Sequence, residues 1–187
     1  MLYVVKYTGP FGFIKPWTAV RDGETYSQQF LTPSIVEGIE KKLFPEQLAK
    51  AGVIERILRH KLSYSAMSVQ KEVTQAKGWK KTKKTMERER SILDRGVLLN
   101  PVLNLAFKNE EDANAASKQH ICLCRNEDVL LPEGVTTMSE AEFNDIPGFE
   151  MKFDVSDESF HVGYNRFDNS KPMYGTLEID GMSVLKI

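Results

Sequence analysis

Between Lys77 and Arg90 the chain reads Lys-Gly-Trp-Lys-Lys-Thr-Lys-Lys-Thr-Met-Glu-Arg-Glu-Arg, with five lysines inside eight residues and a tryptophan among them. Lysines at this density neutralise phosphates and release their counterions. An indole beside them can stack on a base, an interaction of about 1–3 kcal/mol. Lys77, Lys80, Lys81, Lys83, Lys84, Arg88 and Arg90 are thus candidate phosphate contacts, and Trp79 is a candidate base contact. A solvated charged loop would share the basic composition. Trp79 separates the two readings, because a large aromatic side chain on a mobile polar loop calls for a partner. A second candidate surface comprises Lys15, Trp17, Arg21 and Tyr26, with the alternative that Trp17 covers the edge of the core.

Other chemistry is thinly represented. There is no phosphate-binding glycine loop, dinucleotide fingerprint or paired-histidine metal motif, and no serine nucleophile elbow. His60, His120 and His161 are far apart in sequence. A histidine acid–base role stays open, beside surface or structural roles. Cys122 and Cys124 lack neighbouring ligands for a metal and read as two buried, reduced thiols. No cofactor or metal is expected.

The net charge of −1 conceals an asymmetry. From Lys71 to Arg95 nine basic residues face four acids, and from Asn109 to Phe160 the balance reverses. A local basic block is the footprint of a polyanion partner. The 187 residues and 41% hydrophobic content allow an ordinary core in one domain with a long excursion. No apolar run approaches the roughly 20 residues of a membrane helix, and the first residues are too short and β-branched for a secretory signal. These readings give a cytoplasmic location.

The elements that must position these residues follow from periodicity. Leu2–Tyr7 is a β-rich apolar run, stopped by Gly9-Pro10-Phe11-Gly12. The segment 15–29 reads as a loop with a short strand near Thr18-Ala19-Val20. Thr32 suits an N-cap and Pro33 the first helical position, and Ile35, Val36, Ile39 and Leu43 form one apolar face until Pro45. Gly38 inside this helix costs about 1 kcal/mol against alanine, either simply tolerated or set by a close backbone approach. The run 53–67 reads as a second strand that 69–73 continues. Residues 75–89 carry no apolar face beyond Trp79 and Met86 and must project into solvent or onto a partner. Residues 92–107 are again β-like, 109–119 read as a helix whose Ala113 and Ala116 let it lie close to a sheet, and 121–125 as a short strand. The stretch 132–147 reads as loop with a short acidic helix, 149–155 and 176–187 as final strands, and Asp180-Gly181 as a hairpin turn. The order predicts an α+β, ferredoxin-like (RRM-like) βαββαβ domain over 1–187, with an elongated basic hairpin inserted and extra C-terminal strands.

Tyr7-Thr-Gly-Pro-Phe-Gly-Phe13 followed by Phe30-Leu-Thr-Pro-Ser-Ile-Val-Glu-Gly-Ile39 resembles the N-terminal signature of the Cas-five family, RAMP-superfamily subunits of class 1 CRISPR effector complexes. Ile54-Glu-Arg-Ile-Leu58, Met67-Ser-Val-Gln-Lys-Glu-Val73 and Arg88-Glu-Arg-Ser-Ile-Leu-Asp-Arg-Gly-Val97 resemble later runs of that family, in the same order over roughly the first hundred residues. The resemblance implies a RAMP-like domain whose residues 64–95 protrude as a thumb. It also implies binding of the 5′ repeat-derived handle of the guide RNA, with Gln70 and Lys71 added to the contacts, and assembly with the backbone and large subunits of a Cascade-like ribonucleoprotein of antiviral defence. Some relatives of the type I-C kind resemble metal-independent ribonucleases that use a tyrosine near the end of the first helix and a Lys-His pair after the thumb. Here that helix end carries Phe44, and Lys118-Gln119-His120 interrupts the pair.

Three functions remain in competition: a non-catalytic RNA-handle subunit, a metal-independent endoribonuclease using His60 or His120 with a tyrosine such as Tyr64, and an interaction module whose basic loop docks on an acidic protein.

Overall fold

The computed structural model of the chain describes residues 1–16, 23–73, 78–88, 92–165 and 169–181. Its main sheet begins with β1 (Leu2–Thr8), followed later by helix α1 (Pro33–Leu43), β4 (Ile57–Ser63), β9 (Val102–Phe107), α2 (Glu110–Ala116) and β11 (Val129–Met138). These strands lie in the order β11-β1-β9-β4, every neighbouring pair antiparallel. Numbered within a βαββαβ unit this is 4-1-3-2, the ferredoxin-like arrangement predicted above. Strand β10 (Ile121–Cys122) extends the sheet beyond β11. At the other edge, β12 (Gly148–Lys152), β14 (Lys171–Asp180) and β13 (Phe160–Asn165) follow β4, after the short helix α3 (Glu140–Asn144).

One face of the sheet buries Val5, Tyr7, Leu62, Leu103, Leu105 and Phe107 against Val36, Ile39 and Leu43 of α1 and Ala113 and Ala116 of α2. The small alanines let α2 sit close enough for the Tyr7 hydroxyl to donate to the Ala116 carbonyl at 2.8 Å. The opposite face holds Leu2, Val4 and Ala106 under Phe143 of α3. It also holds Lys61, fully buried, whose ammonium donates to the Asn144 and Ile146 carbonyls at 2.7 and 3.0 Å and pairs with Asp180 at 2.7 Å. Buried charge is tolerated there because every donor has an acceptor.

The helices begin as their sequences dictate, with one exception. Asn109 caps α2 by accepting from the Asp112 N–H at 2.8 Å, and Ser139 and Glu142 form a reciprocal capping box on α3. Thr32 occupies the N-cap of α1, but its hydroxyl lies 3.2 Å from Ser34 Oγ instead of capping an N–H. Gly38 is exposed and nothing lies within 4 Å of where a Cβ would be, so no close approach requires it. Gly9 is different: an added Cβ would sit 2.4 Å from the Val129 carbonyl oxygen, and only glycine lets the end of β1 pass this close to β11.

Several expected boundaries shift. The loop expected from 132 is strand β11 as far as Met138. Pro132 and Gly134 (φ +112°) sit where the register with β1 slips between Val5 and Tyr7, and a bulge tolerates both residues inside a strand. The expected strand over 121–125 is two residues long, and the helix expected over 109–119 spans 110–116. Strand β13 was not expected. The thiols are not buried: Cys124 is exposed and Cys122 partly so. The short strand expected at 18–20 lies outside the described residues, as do the last six residues of the strand expected over 176–187.

Between β4 and β9 the chain leaves the main sheet and builds a second one. Strand β5 (Ala66–Val73) pairs antiparallel with β8 (Ile92–Leu99) over its whole length. On the other side of β8 lie β2 (Phe11–Gly12), antiparallel, and β3 (Glu24–Tyr26), parallel. Farther out, β6 (Trp79–Lys81) and β7 (Met86–Arg88) form a separate two-stranded hairpin.

Candidate nucleic-acid interface

The β6–β7 hairpin carries the basic tract. Its turn is closed by Thr82 and Thr85: the Thr82 N–H donates to the Thr85 carbonyl at 2.8 Å, and the Thr85 N–H returns to Thr82 Oγ1 at 3.1 Å. Lys83 and Lys84 therefore stand at the tip, with Lys80 and Lys81 one step down the strand, all four exposed. Glu87, opposite Lys80, is the one acid between Trp79 and Arg88 against five basic residues. Trp79 is 60% exposed, an unusual setting for the largest apolar side chain. The hairpin thus unites Trp79, Lys80, Lys81, Lys83 and Lys84. Arg88 stands opposite Trp79 in the backbone register. Trp17, Arg21, Lys77 and Arg90 lie outside the described residues.

The β5–β8 ribbon has two faces, and it separates Gln70 from Lys71. Gln70 and Glu72 share a face with Arg95, which lies opposite Gln70 and bonds Glu72 at 3.2 Å. The Arg95 guanidinium is 5.7 Å from the centre of the Phe13 ring, and the Arg125 guanidinium is 5.3 Å from the same ring. Arg125 is clamped in turn by the buried Asp128 at 2.7 Å, so this face is turned toward the main sheet. Lys71 is on the other, exposed face with Val69, Val73, Ile92 and Asp94. Lys15 is exposed on neither, beside the Cys124 thiol. Although the residue is exposed, the atoms packed around its sulfur desolvate the thiol and raise its pKa, and a hydrogen bond from the Lys15 backbone offsets part of the effect.

Phe13 and Arg125 went unrecognised in the sequence, since nothing local announces that one ring would meet cations from β8 and from the β10–β11 connection.

The groups proposed for ribonuclease chemistry are placed differently. His60 is 3% exposed, stacked on Phe153 at 5.3 Å, and burial pushes its pKa down to about 4. Tyr64 is buried against Phe149 with its rings 6.1 Å apart, and burial raises its pKa. His120 is exposed beyond α2. These three do not form an exposed acid–base pair. Phe44 instead lines a cleft of about 700 Å³ with Arg56, Asp112 and Gln119. There the Arg56 guanidinium lies 4.4 Å from the Phe44 ring and pairs with Asp112 and Glu46 at 2.6 and 2.7 Å, and Gln119 donates to the Leu43 carbonyl at 3.1 Å. Among the described residues no group of three or more His, Cys, Asp or Glu could hold a metal ion, and no helix is long and apolar enough to cross a membrane.

No family model and no curated protein matches the chain. Among solved structures, it is similar to a chain described as "CRISPR RNA-guided surveillance complex", with a TM-score of 0.54 and 12% identity over 96% of this chain and 88% of that one. A second, described as "Crystal structure of Cas protein", covers 100% of this chain and 98% of its own at 13% identity, with a TM-score of 0.47. The chain therefore shares its fold with a component of a CRISPR RNA-guided surveillance complex.

Proposed function

We propose that the chain is a non-catalytic, RNA-binding subunit of a Cascade-like CRISPR interference complex, working in the cytoplasm. On this reading it holds the 5′ repeat-derived handle of the guide RNA and contacts the backbone and large subunits. Residues 1–187 act as a single RAMP-like domain from which 64–95 project as a thumb. The observation that carries the proposal is the β6–β7 hairpin, which presents four exposed lysines and an exposed tryptophan at the far end of a ribbon. Such a tip can reach into a groove and engage phosphates and bases together. The shared fold supports the assembly context. The burial of His60 and Tyr64, and the missing hydroxyl at Phe44, favour holding RNA over cutting it.

The test is incubation of the purified chain with labelled repeat-containing precursor RNA in EDTA, run on native and denaturing gels. The expected result is a shifted, intact RNA. Changing Lys80, Lys81, Lys83 and Lys84 together to alanine should weaken binding and lower the slope of log K against log salt by about 3, from roughly 0.7 per neutralised phosphate on a single strand. Equal binding by the quadruple variant would overturn the role of the hairpin, and a discrete metal-independent cut would make the chain a ribonuclease.

A further inference from the structure

Strand β13 is the outermost of the main sheet, and a bulge decides which side chains its surface carries. His161 lies opposite Tyr174 of β14 and Tyr164 lies opposite Pro172, with the register slipping between His161 and Gly163. On a regular strand, residues three apart point to opposite faces. Here the extra residue, Val162, is buried, and Gly163 takes a φ of +141° that suits glycine. His161 and Tyr164 therefore share one face with Tyr174 and Pro172. Re-aiming a side chain is a recurrent use of bulges next to sites. The three rings meet at defined angles: His161 lies 4.6 Å from Tyr164 with 66° between planes, and 5.9 Å from Tyr174 with 65° between planes. Edge-to-face contacts of this kind hold aromatic rings in place. Both tyrosines nonetheless face solvent, Tyr164 56% and Tyr174 39% exposed, and neither joins a core cluster.

The charge beside these rings is negative. Thr176 follows Tyr174 on the same face of β14. Its hydroxyl donates to Asp154 Oδ1 at 3.1 Å and lies 3.2 Å from Ser156 Oγ, which fastens the segment 153–159 to this side of the sheet. That segment carries Asp154, Asp157 and Glu158, all exposed, and no basic residue. Lys152, opposite Thr176, is paired with Glu178 at 2.5 Å. Lys171 lies opposite Asn165, the neighbour of Tyr164, and so belongs to the other face. An anionic ligand is repelled from such a surface and a cation is drawn to it.

We infer that Tyr164 and Tyr174, held by His161, form an aromatic receptor for an arginine side chain of a partner protein, with Asp154 supplying the counter-charge. A cation within about 6 Å of a tyrosine ring centre is attracted by the ring quadrupole. Arginine suits the site better than lysine. Its planar guanidinium stacks on a ring while its edge N–H groups bond a carboxylate, and a compact, strongly hydrated ammonium does not do both. The acids that favour the guanidinium also turn RNA away, so this edge of the sheet faces protein. The inference does not depend on the RNA-binding function proposed above.

The test follows the Tyr164 and Tyr174 ring resonances of the full chain by NMR, assigned with Y164F and Y174F. The chain is titrated with acetyl-glycyl-arginyl-glycine amide and with its citrulline counterpart, which has nearly the same shape and no charge. The arginine peptide should move both resonances and bind about fivefold more tightly than the citrulline peptide, the scale of one exposed cation–π contact. Y164A and Y174A should each remove most of that preference, while Y164F and Y174F, which keep the ring, preserve it; melting temperatures confirm that the variants fold. D154N should weaken the arginine peptide and leave the citrulline peptide unchanged. Equal binding of the two peptides, a preference that survives both alanine variants, or resonances that move with neither peptide overturns the receptor. Oligo(U) RNA moving these resonances more strongly than the arginine peptide also overturns it and makes the face a base-stacking surface.

Discussion

Glu40 is only 1% exposed, and its carboxylate accepts three backbone N–H groups, from Glu55 at 2.9 Å and from Arg56 and Ile57 at 2.8 Å. It closes the corner between α1 and β4. In the sequence it reads as one more charge on a polar helix face, because its partners lie some fifteen residues on in a stretch without periodicity. Replacing it with alanine leaves three backbone donors without their acceptor, one buried and two partly buried, and E40A should lose about 3 kcal/mol of stability, measured by urea unfolding. His60 gives a pH dependence. Its pKa in the folded chain, about 4, lies below its ordinary value of about 6.5. The unfolded chain therefore takes up a proton between those values while the folded chain does not, and stability contributed above pH 6.5 is lost as the pH falls toward 4. The expected loss is up to about 3 kcal/mol, seen as a falling melting temperature that H60F flattens. If H60F melted with the same pH profile as the parent, the acid sensitivity would come from other groups.

Among the elements, the strongly periodic ones were legible. Helix α1 showed its apolar face and Pro33, and β1 its β-branched run and Gly9-Pro10 stop. What escaped were strands broken by residues that usually end strands: β11 contains Pro132 and Gly134, and β13 contains Gly163 at φ +141° beside a register slip. In both, the partner strand supplies what the local sequence withholds. The ribbon shows the reverse case. Its basic tip was plain from composition, yet only pairing reveals that Gln70 and Lys71 face opposite ways and that Tyr26 joins Lys71. Val73 and Ile92 lie directly opposite each other, so an Asn-Gly turn can replace residues 74–91 and close the ribbon there. The tip residues that are described contribute nothing to either core cluster. The shortened chain should melt within a few degrees of the parent, by about 1 kcal/mol or less, and lose most of its RNA affinity in a gel-shift assay. A large drop in melting temperature would mean that the tip helps hold the fold.

At the scale of the molecule, charge is divided between regions. Thirteen acids and three basic residues occupy 109–160, on and around α2, β11 and α3, opposite in sign to the ribbon. A polyanion is drawn to one and repelled by the other. Ultraviolet crosslinking to RNA, read by mass spectrometry, should therefore place adducts within 64–95 and leave 109–160 unmodified; adducts concentrated in the acidic region would contradict the proposed orientation. The way the ribbon is attached has a further consequence. The chain leaves the main sheet after Ser63 and re-enters at Val102, and these two residues are paired neighbours on β4 and β9. Both ends of the insertion are thus fixed at a single rung, and the register of the main sheet does not depend on how far the insertion reaches or which residues its tip carries. Selection can lengthen, shorten or recharge the tip without renegotiating the fold, so in this architecture the segment proposed to meet RNA is the one freest to diverge.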